Sequence, residues 1–140
     1  MSEKKPFLVR LAGRSEGAAA VEFALVLSVL LMIIMGMIDF GHAFFLRQIV
    51  TNASREGARA GVVFPHTDAT VIQGNVETAV QKYWPLTDPP QVTVAPGTRL
   101  TGDPLTVTVT FTKTWWIINS FVPGMTDSTQ IQVPTVMRYE

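Results

Sequence analysis

A single carboxylate, Glu22, interrupts a long apolar segment near the start of this chain of 140 residues. It follows Gly17 by five positions and precedes Phe23. An unpaired carboxylate inside a membrane costs on the order of 1–3 kcal/mol, depending on its depth. The chemistry suggested at Glu22 is therefore pairing with a positive charge. The alternative is a carboxylate that reaches the lipid headgroups from near the helix end.

The other residues that could do chemistry form no catalytic or metal-binding pattern. Neither His42 nor His66 has a set of serine or carboxylate neighbours that singles it out for acid–base, nucleophilic or metal chemistry. The chain has no cysteine and no glycine-rich phosphate loop. Its net charge is zero, which gives no indication of a nucleic acid partner. We therefore expect no enzyme, no cofactor, no metal site and no small-molecule substrate.

The apolar segment is long enough for one membrane crossing only if Glu22 lies within it. From Ala18 to Ile38 a helix of about 21 residues rises ~31 Å, close to the thickness of the hydrocarbon core. A helix that starts at Phe23 would rise only ~24 Å. Residues 1–17 carry a small excess of positive charge, which predicts that this end stays in the cytoplasm. A retained anchor is favoured over a secretory signal, because the apolar segment exceeds the usual ~7–15 residues.

The sequence from Arg14 to Gly61 resembles the TadE-like pseudopilins of the tight-adherence (Flp) type IV pilus systems. The resemblance rests on a Gly-x-x-x-x-Glu-Phe pattern at residues 17–23 and an Arg-Glu-Gly-Ala-Arg-Ala run at residues 55–60. It implies that a prepilin peptidase cuts between Gly17 and Ala18 on the cytoplasmic face. The implied partners are this peptidase, other pilins or pseudopilins, the inner-membrane assembly machinery and membrane lipid.

Cleavage after Gly17 would create a charge partner for Glu22. The new α-amino group of Ala18 is mostly protonated at neutral pH. In a bundle of staggered parallel helices, Glu22 can meet this ammonium on its own chain or on a neighbour, and pairing recovers much of the cost of burying the carboxylate. We therefore expect Glu22 to set the register of the assembly, with Phe23 as bulk that faces lipid or another helix.

The N-terminal helix is expected to continue to about Val63, because helix stop signals occur at Gly61 and Pro65. Apolar residues follow a helical spacing beyond the membrane: Phe40, Phe44, Ile49, Ala53 and Ala60.

Charged residues on this outer part of the helix are candidates for subunit contacts: Asp39, Arg55, Glu56 and Arg59. Asp39 is expected to be solvated at the far membrane boundary, and pairing with an arginine of a neighbour is the alternative. Arg55 and Arg59 share a helix face, and Glu56 can pair with Arg59 for roughly 0.2–0.5 kcal/mol. Solvation of the outer face and contact with another subunit both explain these charges. The glycines and alanines of residues 57–61 would let the helix lie close to a sheet or a partner helix.

The rest of the chain predicts a small domain of one helix and about three antiparallel strands. A second helix is expected between an N-cap at Thr67 or Asp68 and Pro85. Its apolar stripe is predicted at Val71, Ile72, Val76, Val80 and Tyr83-Trp84. The strands are predicted at Gln91–Ala95, Leu105–Trp115 and Thr129–Met137, and the second alternates apolar residues with threonine.

The predicted fold class is α+β, since a three-stranded sheet with one apolar face can cover a helix. The predicted divisions are a cleaved basic leader (1–17), a transmembrane and extended helix (18–64) and an extracytoplasmic domain (65–140). Between the last two strands, the apolar segment Trp115–Met125 has three possible roles. It can pack over the end of the core, anchor the domain at the membrane interface, or dock another subunit.

Together these patterns favour a minor pseudopilin of the bacterial inner membrane, with a cytoplasmic N-terminus, that contributes to the biogenesis of a tight-adherence pilus and so to surface adhesion and biofilm. The alternative is a single-pass anchored binding module, unrelated to pili, whose domain engages a partner in the cell envelope.

Overall fold

The computed structural model describes the backbone of residues 7–63 and 68–140, and the side chains of residues 17–63 and 68–140. The side chains of the basic leader, Pro65, His66 and Thr67 lie outside these ranges, so the expectations for them stay predictions. The elements in chain order are helix α1 (Phe7–Val62), helix α2 (Ala69–Lys82), strand β1 (Gln91–Ala95), strand β2 (Pro104–Thr114), the short helix α3 (Ile118–Phe121) and strand β3 (Ser128–Arg138). This confirms the α+β class.

The chain forms two compact units that divide between Ile38 and Asp39. In the first unit, the side chains from Ala18 to Ile38 are exposed, and only Gly36 is half-buried. An apolar helix that is exposed on all sides is typical of a membrane span. By length and composition, α1 can cross a membrane once, which supports the predicted single-pass anchor.

The second unit has its core between α1, α2 and one face of the sheet. The buried apolar side chains are Leu46, Val50, Ala53, Ala58 and Val62 of α1, Ile72, Val76 and Val80 of α2, and Leu105, Val107 and Val109 of β2. The strand order is β1-β2-β3, and both pairs are antiparallel, with Val107 opposite Val94 and Val109 opposite Val133. Alternate residues of β2 face the core, as the pattern of apolar residues and threonines predicts.

Two glycines allow α1 to approach α2 and the sheet closely. A Cβ atom on Gly57 would lie 2.7 Å from Cγ2 of Val80, and one on Gly61 would lie 2.5 Å from Cδ2 of Leu105. Both distances are far inside van der Waals contact. The predicted close approach of this segment is therefore confirmed, and it involves a helix and the sheet of the same chain.

The apolar residues that gave α1 its helical spacing are buried to different degrees. Ala53 is buried, Ile49 and Ala60 are half-buried, and Phe40 and Phe44 are exposed. The core also uses Leu46 and Val50 of α1, which the noted spacing did not include. Of the stripe predicted for the second helix, Ile72, Val76 and Val80 are buried, Trp84 is half-buried, and Val71 and Tyr83 are exposed.

Candidate functional site

Ala18 of the predicted processing site shares one face of α1 with Glu22. Ala18 and Glu22 are four residues apart in a continuous helix, which places their Cβ atoms roughly 5–6 Å apart. A Cβ atom added to Gly17 would meet no atom within 4 Å, so this position is open. Phe23 is exposed. Among the described residues, none forms an ion pair or a hydrogen bond with Glu22, and its pairing with an Ala18 ammonium stays a prediction.

The second charged cluster centres on Asp39, which is only 1% exposed. Its carboxylate accepts three backbone N–H groups from the segment after β2: Ile117 at 2.9 Å, Ile118 at 3.2 Å and Trp116 at 3.3 Å. Each of these contacts joins residues 77–79 positions apart in the chain. The carboxylate therefore holds the start of the β2–β3 connection against α1.

Lys113 of β2 completes this cluster. Its Nζ lies 3.4 Å from Oδ1 of Asp39 in an ion pair whose side chains are 0% and 1% exposed. The same ammonium donates to the Thr114 carbonyl at 2.9 Å and lies 4.5 Å from the ring centroid of Trp115. Burial of an ion pair costs free energy because both charges lose their hydration. Their attraction compensates for this cost only when further hydrogen bonds satisfy both charges. Here the three amides satisfy Asp39, and the carbonyl and the indole ring satisfy Lys113.

Burial of the Asp39 carboxyl acts to raise its pKa, because burial disfavours the charged form. The N–H groups of Ile117, Ile118 and Trp116 and the Lys113 ammonium outweigh this effect, so the pKa of Asp39 lies below its ordinary value. The carboxylate is therefore ionised at neutral pH. Its chemistry is structural pairing, since the described groups that bind its oxygens are the Lys113 ammonium and three backbone N–H groups.

Aromatic rings surround the ion pair. Phe40 contacts Trp115 edge to face, with centroids 5.7 Å apart, and His42 stacks on Trp116 at 4.7 Å. The Trp115 indole donates to the Thr129 hydroxyl at 2.8 Å, so this ring is fixed from both sides. Such contacts exclude water from the charges and strengthen their attraction.

The solvated position expected for Asp39 is therefore wrong, because the carboxylate is occupied within its own chain. Sequence reasoning also missed Lys113. The signal was present, since Leu105, Val107 and Val109 set a period of two that places residue 113 on the inward face. A lysine at an inward position indicates a buried acidic partner.

The other predicted contact residues stay apart from this cluster. Arg55 and Arg59 are exposed and Glu56 is half-buried. Among the described residues, the close ion pairs join Arg99 to Asp68 and Lys113 to Asp39, so the suggested pair of Glu56 with Arg59 does not form. Their role in subunit contacts stays a prediction. Within the same ranges, no three His, Asp or Glu side chains are grouped to hold a metal ion.

A family model described as TadE, TadE-like protein, matches residues 17–59. The chain carries a TadE-like segment. This confirms, over residues 17–59, the resemblance stated from the sequence. No significant match is found among curated proteins or solved structures.

The TadE-like segment contains Gly17, Glu22 and Asp39, together with the charged run at residues 55–59. It ends before α2 and the sheet, so Lys113 and the amides that bind Asp39 come from the part of the chain beyond the match. The buried ion pair therefore joins the family segment to the domain that follows it.

Proposed function

We propose that this protein is a minor pseudopilin that contributes to the biogenesis of a tight-adherence pilus, after a prepilin peptidase cuts between Gly17 and Ala18. Before assembly, the protein resides in the inner membrane, with its N-terminus in the cytoplasm and residues 65–140 on the extracytoplasmic side. It acts by assembly with other pilins or pseudopilins and performs no catalysis. Adhesion and biofilm formation follow from the pilus.

The observation that carries this proposal is the TadE-like match over residues 17–59, which begins at the glycine of the cleavage pattern. The geometry supports it. Ala18 and Glu22 lie on one face of an apolar helix, and Glu22 has no partner among the described residues. An amine created at Ala18 would supply that partner at the distance of one helical turn.

The test is the intact mass of the protein from cells with and without the prepilin peptidase. We expect the wild-type protein to lose residues 1–17 only when the peptidase is present, and Gly17→Leu to prevent this loss. Gly36→Leu is the matched control, because a Cβ atom at either glycine meets nothing within 4 Å. This control is expected to be cut normally. An uncut wild-type N-terminus in cells with an active peptidase would instead favour the anchored binding module.

A second variant separates assembly from processing. Glu22→Gln keeps the shape of the side chain but removes the charge that would pair with Ala18. We expect normal cleavage and membrane insertion, but at least about tenfold less of the protein in sheared pili, as loss of a buried charge pair predicts. Normal incorporation of this variant would show that the carboxylate does not set the register.

A further inference from the structure

The connection between β2 and β3 exposes large apolar side chains without any accompanying charge. No charged residue occurs between Lys113 and Asp127. Trp116 is 60% exposed, and Phe121 and Val122 are 55% and 47% exposed. We name residues 116–122 the aromatic loop. Trp115, just before it, is buried, so the exposure begins where the chain leaves the core.

The position of the aromatic loop is fixed by Asp39. The loop amides of Trp116, Ile117 and Ile118 all donate to this carboxylate. Asp39 directly follows Ile38, the last residue of the predicted membrane span. The start of the loop is therefore hydrogen-bonded to the residue that directly follows the predicted span in the chain. The interfacial layer of a bilayer extends roughly 5–7 Å beyond the hydrocarbon core on each side, so a residue directly after the predicted span is expected in that layer.

The contacts that Trp116 makes within the chain fix its position but leave its ring exposed. Trp116 stacks on His42, and the Lys113 ammonium lies 5.4 Å from its ring centroid, yet the indole remains mostly exposed. Phe44, on α1 beyond Asp39, is also exposed. It lies five residues, or about 7.5 Å of helix rise, beyond Asp39. Exposed aromatic residues therefore occur on two separate elements near Asp39.

We propose that the aromatic loop inserts into the headgroup region of the membrane that α1 spans. Tryptophan and other amphipathic aromatic residues favour this region, where an apolar ring and a polar edge are both accommodated. The partner is the lipid surface itself. The contact holds the domain against the membrane before assembly, and extraction of the subunit requires the loop to leave the lipid. This inference rests on the membrane anchor of the proposed function.

Single-cysteine reporters can test the proposal, because the chain has no native cysteine. The reporter is Phe121→Cys, and Leu100→Cys is the matched control, since these side chains are 55% and 54% exposed. Leu100 precedes β2, which separates it from Lys113 by about 30 Å of strand. Val29→Cys reports on the span itself. Each full-length variant carries an environment-sensitive fluorophore in nanodiscs of phosphatidylethanolamine and phosphatidylglycerol, one chain per disc.

Nitroxide lipids labelled near the headgroup are expected to quench the probe at position 121 at least about twofold more than the probe at position 100. Aqueous iodide should show the opposite order. The probe at position 29 should be quenched by lipids labelled deep in the acyl chain. If position 29 is quenched but position 121 behaves like position 100, the loop proposal is overturned and the anchor stands.

Two further outcomes are equally decisive. Failure of lipid quenching at position 29 would remove the anchor, and with it the loop proposal. Shielding of position 121 from iodide without lipid quenching would show a protein contact instead of a lipid contact, and would also overturn the proposal. With a single chain in each disc, a second copy cannot shield the probe. Lipid quenching at position 121 would therefore support contact with lipid and not with another copy of the chain.

Discussion

Asp39 and Lys113 carry opposite charges in a place from which water is excluded. Loss of one partner from a buried pair leaves the other charge uncompensated, which typically costs about 3–5 kcal/mol. Replacement of both by uncharged groups of similar size is often much less costly. The two residues should therefore be strongly coupled in stability, although neither touches the predicted processing site.

Asp39→Asn should lower the unfolding temperature of the full-length protein in detergent micelles by more than about 10 °C, because it leaves the Lys113 ammonium buried without a countercharge. The near-ultraviolet circular dichroism of Trp115 and Trp116, which flank the pair, reports this transition directly.

The double variant Asp39→Asn with Lys113→Met is the control, since it removes the stranded charge and keeps an apolar side chain of similar length. We expect it to be more stable than Asp39→Asn alone. Equal or lower stability of the double variant would mean that the three backbone hydrogen bonds, and not the ion pair, account for the effect.

A sequence pattern can suggest the role of a residue only where that role is local. The spacing of Gly17, Ala18 and Glu22 is a property of one helix, so their roles could be proposed without a fold, and they stay predictions. The role of Asp39 depends on Lys113, whose hydrogen bond to it spans 74 residues of sequence. A carboxylate beside an apolar span looks the same in sequence whether water or a distant ammonium satisfies it.

At the scale of elements, the contact of α1 with α2 and β2 depends on Gly61. We expect Gly61→Ala to destabilise the protein by about 1–3 kcal/mol, since the new methyl group would overlap Leu105 and Val76 in a packed core. Thermal unfolding measures this loss.

Gly74→Ala on α2 is the matched control, because a Cβ atom there meets nothing within 4 Å. Alanine should stabilise this helix by up to about 1 kcal/mol relative to glycine. If both variants are stabilised, the close approach of α1 at Gly61 is not a constraint on the folded protein.

The elements themselves were largely predictable. The alternation in β2 and the glycine and proline signals around α1 and α2 are local, and the three predicted strands agree with the observed ones to within a residue or two. The inward face of α1 was not predictable in this way. Its stripe includes Ser54, whose hydroxyl lies 2.8 Å from that of Thr135 on β3, and a buried serine carries no hydrophobic signal.

At the scale of the whole molecule, the second compact unit begins at Asp39, whereas the predicted extracytoplasmic domain begins at residue 65. The first division describes which residues pack together, whereas the second describes which residues lie outside the membrane. The membrane boundary stays a prediction. For folding, the structure implies that α1 beyond the membrane supplies part of the core, through Leu46, Val50 and Ala53.

A fragment of residues 39–140 should therefore unfold cooperatively on heating, because it retains every core element. A fragment of residues 65–140 should lack a cooperative transition, since one side of its sheet would lose its cover. Calorimetry of the two fragments makes the comparison. Cooperative unfolding of the shorter fragment would show that α2 and the sheet fold without α1.

The long sequence separation of the buried pair also sets an order of events during synthesis. Lys113 is made 74 residues after Asp39. At roughly 5–20 residues per second, the ribosome takes about 4–15 s to cover that distance. For this interval the nascent chain has its apolar segment and the carboxylate that follows it, but not the Lys113 ammonium that pairs with that carboxylate. A product that terminates before residue 113 would lack this partner, so its carboxylate is expected to stay in contact with water.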